Sequence, residues 1–148
     1  MENKKGRPDP PAVATRTVAM VVEKASSLYP KLPLFAGGKS FGGRMTSQWM
    51  SDAQDENLKG IVFFGFPLHR PGVPSIERAE HLYAIKIPLL FLQGTRDALA
   101  DLTKLKAVCK KLSKSTLVTF EGADHSFKAG KDNLIPKLAA VTEKWMSI

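Results

Sequence analysis

Apolar positions follow two alternating patterns along the chain. Four short runs are apolar almost throughout: Leu32 to Ala36, Gly60 to Phe66, Ile87 to Leu92 and Ser115 to Phe120. Runs of this length without polar alternation predict strands covered on both faces, as in a parallel sheet. Around them, apolar residues recur every three or four positions. From Ala12 to Tyr29 the residues Val18, Val21, Val22, Ala25, Leu28 and Tyr29 share one helical face, and Pro10-Pro11 suits the start of that helix. Phe41, Met45 and Trp49 mark a second helix reaching about Ala53. Leu99 to Leu112 and Asn133 to Met146 complete the set, the last carrying Leu134, Leu138, Val141 and Trp145. Helices alternating with buried strands predict an α/β protein, a three-layer α/β/α sandwich around about four parallel strands.

In such a sheet, functional groups gather at the carboxyl ends of the strands. The first predicted strand runs into Gly38-Lys39-Ser40-Phe41-Gly42, a G-x-S-x-G pentapeptide at a strand-to-helix junction. A serine on so sharp a turn projects its hydroxyl clear of the backbone, and glycines two residues to either side let the turn close without side-chain collision. The third strand leads into Asp97 and the fourth into His125. The order serine, aspartate, histidine at these strand ends assigns Ser40 as nucleophile, His125 as general base and Asp97 as the acid that orients it. Singly, each has another reading. Asp97 could cap a helix beginning near Leu99, sharing that end with Asp101, and His125 could be a surface loop histidine. A Gly-rich turn could hold phosphate, but the spacing fits neither the P-loop nor the G-x-G-x-x-G pattern. Three suitable residues at the first, third and fourth strand ends favour the catalytic reading. Lys39, beside the serine, and His69, in the Pro-rich loop after the second strand, are expected to line the pocket. His81, in a short helical segment, reads as packing.

Composition changes this picture little. A chain of 148 residues, 43% of them hydrophobic, is sized for one globular domain. It is expected over residues 12–148, after a flexible polar segment over 1–11. The formal charge of +8 is spread along the chain; Lys104, Lys106, Lys110, Lys111 and Lys114 surround the outer faces of one amphipathic helix. No nucleic-acid-binding motif accompanies them, so a specific nucleic-acid partner is not expected. The lone Cys109 excludes an internal disulfide and a multi-cysteine metal site, and its helical spacing reads as a small buried apolar position. No apolar run approaches a membrane span, and no apolar segment follows the basic Lys4, Lys5 and Arg7. A cytoplasmic protein, needing neither metal nor organic cofactor and no membrane, is expected.

Three separated motifs carry a family resemblance: Phe35 to Met45 around the serine, Phe91-Leu92-Gln93-Gly94-Thr95-Arg96-Asp97, and Glu121-Gly122-Ala123-Asp124-His125-Ser126-Phe127. They resemble the α/β-hydrolase-like proteins of the testis-expressed and NSL-complex-subunit group, distantly similar to dienelactone hydrolase. The resemblance covers nearly all the chain after Pro8. It implies a serine hydrolase with Ser40 as nucleophile, Asp97 as acid and His125 as base, and with the Phe41 N–H serving the oxyanion hole. The connection from Pro67 to Ile85 is too short for a cap domain, so an open cleft that cleaves small carboxylic esters through an acyl-enzyme is expected. Hydrolases of this type place further strands before the helix entering the elbow strand, and one of their loops carries a His-Gly oxyanion motif. No His-Gly dipeptide occurs in this sequence. The chain is therefore expected to be the C-terminal portion of such a fold, with a sheet edge that invites homodimerisation. The other reading is a catalytically silent α/β-hydrolase-like binding module.

Overall fold

A computed structural model describes residues 9–147. Four parallel strands, β1 (Leu34–Lys39), β2 (Leu58–Phe64), β3 (Leu89–Gly94) and β4 (Ser115–Phe120), lie in sequence order across one sheet. Their register is nearly level at the carboxyl ends, where Lys39 pairs with Phe64, Phe64 with Leu92, and Gly94 with Phe120. Every loop leaving a strand therefore emerges along one rim. The strands start where proline permits. Pro33 and Pro88 have no N–H to give a ladder, so β1 and β3 begin one residue after them rather than at Leu32 and Ile87.

Helices α1 (Pro11–Leu28), α2 (Phe41–Ala53) and α3 (Leu102–Lys111), with a 3-10 helix over Glu77–Ala84, cover one face of the sheet. Helix α4 (Ile135–Met146) covers the other. The three layers are those of an α/β/α sandwich. Strand alternation sorts the core between them. Ile61, Phe63, Leu89 and Phe91 pack with Val22, Met50, Leu82, Leu105 and Val108, while Val62, Leu90 and Leu92 pack with Phe120, Phe127 and Leu138. Phe63, Phe66 and Phe91 form an aromatic cluster with ring centroids 4.7–5.9 Å apart, directly beneath the rim. Each such pair adds about 0.5–1.5 kcal/mol beyond the area it buries, which holds the strand ends rigidly.

Among the helices, three starts differ from the sequence reading. Helix α3 starts at Leu102, not Leu99, because Asp101 is its N-cap and accepts the Lys104 N–H at 2.9 Å. Helix α4 starts at Ile135, after a small hairpin of β5 (Lys128–Ala129) and β6 (Asp132–Asn133). Pro11 belongs to α1 rather than to the polar N-terminal segment; the flexibility expected of residues 1–8 falls outside the described residues. Strand β1 is one margin of the sheet, and beside it α1 exposes Met20, Val21 and Leu28, with Tyr29 exposed just after it. Among the described residues, no helix is long and apolar enough to cross a membrane.

Candidate active site

Ser40 occupies the single residue between β1 and α2. Its backbone lies at φ 51°, ψ −118°, a region an L-residue enters only when the surroundings impose it, at a cost of about 1–3 kcal/mol. Two bonds clamp it there. Its N–H donates to Phe64 O at 3.2 Å, and its carbonyl accepts the Arg44 N–H at 3.1 Å. The glycines that permit the turn are not quite the expected pair. A Cβ on Gly38 would strike the backbone of Gly42 and Gly43, and a Cβ on Gly43 would lie 2.6 Å from Gly38 O. A Cβ on Gly42 would meet nothing within 4 Å. The close approach is thus between positions 38 and 43, one residue beyond the symmetric spacing.

Asp97 follows β3, and its side chain is wholly buried. A buried carboxylate is tolerated when donors satisfy it, and three do. Leu99 N–H donates to Oδ1 at 2.8 Å; His125 Nδ1–H, at 2.7 Å, and the Gln93 side-chain amide donate to Oδ2. Asp97 is therefore not the cap of α3, although it shapes the turn that precedes it. Gln93 was not singled out by the sequence reading. It has no solvent exposure, and its Oε1 accepts the Phe66 N–H at 3.0 Å, so one amide joins the ends of β2 and β3 to the carboxylate. The available signal was a polar residue closing an otherwise apolar buried strand.

His125 sits in the turn after β4. Asp124 Oδ1 accepts the N–H groups of Ser126 and Lys128 at 2.8 and 2.9 Å, and Phe127, at φ 59°, drives its ring into the core. The Lys128 N–H in particular holds the Asp124 carboxyl below its ordinary value. The His125 ring lies against Gly65, whose φ of 73° and missing side chain leave the room. Because a carboxylate only accepts, Nδ1 must carry the proton toward Asp97, leaving Nε2 to accept from the Ser40 hydroxyl at 2.8 Å. The structure thus brings together Ser40, His125 and Asp97 in one hydrogen-bonded line. Phe41 opens α2, so its N–H has no intrahelical acceptor and stands at the positive end of the helix beside Ser40.

The two expected pocket residues part company. Lys39 is exposed immediately before Ser40. His69, expected at the rim, is instead 5% exposed with both ring nitrogens bound to backbone. Nδ1–H donates to Arg70 O at 2.7 Å and Nε2 accepts the Asp101 N–H at 2.7 Å, fastening the loop after β2 to the start of α3. Its partner lies 32 residues away, which no local pattern signals. Cys109 is buried, and desolvation pushes its thiol up to about 11, far from the thiolate a nucleophile needs. Among the described residues, no three His, Cys, Asp or Glu side chains are grouped to hold a metal ion.

A strained serine between strand and helix, bonded to a histidine that is itself bonded to a buried aspartate, both on later strand ends, defines an α/β-hydrolase-type protein. The chain belongs to the alpha/beta hydrolase domain family, which it matches over residues 1–144. Its structure is similar to an alpha-beta serine hydrolase homologue from Coxiella burnetii, with 19% identity, a TM-score of 0.67, and 97% of this chain and 62% of that one covered. A monoacylglycerol lipase from Paleococcus ferrophilus aligns with 15% identity and a TM-score of 0.72 over 95% of this chain and 76% of the lipase. Esterase 2 of Thermogutta terrifontis aligns with 18% identity and a TM-score of 0.67 over 90% of this chain and 62% of the esterase. At these identities the likeness is one of fold. The chain spans less than two thirds of the Coxiella protein and of the Thermogutta esterase.

Proposed function

We propose that this α/β hydrolase cleaves small carboxylic esters through an acyl-enzyme on Ser40, in keeping with its resemblance to the testis-expressed and NSL-complex-subunit group. The supporting observation is the pair of bonds on one imidazole, 2.8 Å to the Ser40 hydroxyl and 2.7 Å to the Asp97 carboxylate. As Ser40 Oγ attacks the ester carbonyl, His125 Nε2 takes its proton, and Asp97 stabilises the imidazolium and fixes the tautomer. The Phe41 N–H points charge at the developing oxyanion. Collapse of the tetrahedral adduct breaks the ester C–O bond, and His125 returns the proton to the leaving alcohol. Water, deprotonated by the same nitrogen, then attacks the acyl carbon and releases the acid. Gln93 acts one step back, as a positioning residue for the carboxylate. The segment between β2 and β3 is too short for a separate cap domain, which favours short, soluble esters over long-chain lipids.

The test is hydrolysis of p-nitrophenyl acetate and butyrate together with covalent labelling by a fluorophosphonate. Wild-type protein is expected to turn over and to label, and Ser40→Ala to do neither. Folded wild-type protein that does neither would establish the silent-module reading instead.

A further inference from the structure

Beside this site the structure gathers two arginines that no carboxylate among the described residues pairs with. Ser47, wholly buried on α2, is hydrogen-bonded at 2.7 Å to His81 Nε2 on the 3-10 helix, which fixes the two helices against each other. Arg44 lies three residues before Ser47, and Arg78 three residues before His81. In both helix types that spacing keeps residues on one face, so both guanidinium groups occupy the same seam. Their proximity is felt: burial, and then the like charge of Arg78, make the Arg44 guanidinium easier to deprotonate than usual. Both residues are half-buried. Among the described residues, however, no carboxylate lies within ion-pairing distance of either arginine. Arg78 donates to Pro67 O and His69 O at 3.5 and 3.3 Å, both long bonds to neutral carbonyls, while Arg44 donates its side chain to no described protein acceptor. Neither has a sealed, unpartnered nitrogen, so their N–H groups remain reachable by a ligand.

The seam adjoins the reacting centre. Arg44 is one turn from Ser40, joined to it through the Ser40 carbonyl. Arg78 holds the loop that continues from Gly65, against which the His125 ring packs. Two half-buried like charges without a counterion are costly, and a bound anion offsets that cost. The planar guanidinium fork suits carboxylate and phosphate oxygens.

We propose that Arg44 and Arg78 form an oxyanion-recognition site beside Ser40, so that the preferred esters carry a carboxylate or phosphate within reach of these two side chains. This rests on the hydrolase reading and narrows its substrate class. Two sets of measurements test it. In the first, kcat/KM for mono-p-nitrophenyl glutarate is compared with that for neutral p-nitrophenyl butyrate. Wild type is expected to favour the anionic ester by roughly tenfold, the worth of a charge-assisted hydrogen bond. Arg44→Gln is expected to lower that ratio toward one, and Arg44→Lys to restore part of it. Lys106→Gln, which removes an equal charge from the exposed face of α3, should leave the ratio unchanged. No anionic preference, or a ratio indifferent to residue 44, overturns the proposal while leaving the hydrolase reading intact. The second set needs no turnover. By calorimetry, Ser40→Ala protein should bind monomethyl glutarate or inorganic phosphate, and additional Arg44→Gln should abolish that binding. The tighter probe identifies the carboxylate or the phosphate as the group recognised. Saturable binding of neither overturns the proposal even if no ester is hydrolysed.

Discussion

Two serine–histidine pairs have their serines at helix α2, one at its N-cap and one within it, and differ in everything but length. Ser40 and His125 are 2.8 Å apart; Ser47 and His81 are 2.7 Å apart. Behind His125 stands a buried carboxylate that accepts a hydrogen bond from its other ring nitrogen, Nδ1. Behind His81 no such acceptor is bonded among the described residues, and burial, followed by the Arg44 charge, presses its pKa down to about 4. Ser40 has a partly exposed strained turn to itself, whereas Ser47 is sealed and gives its hydroxyl proton to Arg44 O at 2.9 Å. The Ser47 hydroxyl thus accepts from His81 and holds two helices together. A short serine–histidine contact is therefore not sufficient for a nucleophile. Access, a free hydroxyl proton and a third group behind the imidazole separate a reactive pair from a structural one.

Removing what distinguishes the first pair has the largest effect. Asp97→Asn leaves a side chain that can donate to Nδ1, turning the imidazole to the wrong tautomer. A fall of about 10⁴ in kcat is expected with the fold intact, measured on p-nitrophenyl butyrate alongside a thermal melt. A smaller change near wild type would make the carboxylate incidental. Gln93→Leu should weaken both readouts. It removes one donor to Asp97 and strands the buried Phe66 N–H, so a loss of about 1–3 kcal/mol in denaturant midpoint stability and roughly tenfold in kcat are expected. Unaltered stability would show that Gln93 is dispensable to the strand ends.

The second pair makes a prediction about pH. Unfolded, residue 81 binds a proton near 6.5; folded, it does so only near 4. Unfolding thus takes up a proton between those values, and stability falls as pH is lowered from 6.5 through 4. Replacing the imidazole by His81→Gln should flatten that part of the stability curve, read by urea titration at several pH values. An identical slope in the variant would remove His81 from the account. Smallest is the relief of strain at the elbow. Ser40→Gly should raise stability by about 1 kcal/mol, since glycine adopts φ 51° freely; a destabilised variant would mean the turn is not strained.

Much of this architecture was legible because each element carries a local signal. Largely apolar runs marked the strands, Ser40 sat in a recognisable strand-to-helix pentapeptide, and Asp97 and His125 stood at the third and fourth strand ends. Their hydrogen bonds span 28 and 85 residues, so the sequence offered the residue types and only the folded rim supplied the distances. What escaped notice is also non-local. His69 looked like a rim residue because its loop is Pro-rich, yet its role is set by a backbone N–H on another helix. Gln93 looked like the start of a loop, although it is a wholly buried position of β3, one residue before its end. The two-residue strands of the β5–β6 hairpin are too short to show any period. Among the glycines, chain symmetry about Ser40 pointed to 38 and 42, whereas packing requires 38 and 43, because the helix turns before the chains approach.

The most direct test is to react the folded protein with a fluorophosphonate and locate the adduct by peptide mass spectrometry. Reaction at Ser40 alone, abolished in Ser40→Ala and retained in Ser47→Ala, is the predicted result. An adduct on Ser47, or spread over several serines, or none on folded protein, would contradict the assignment of Ser40 as the nucleophile.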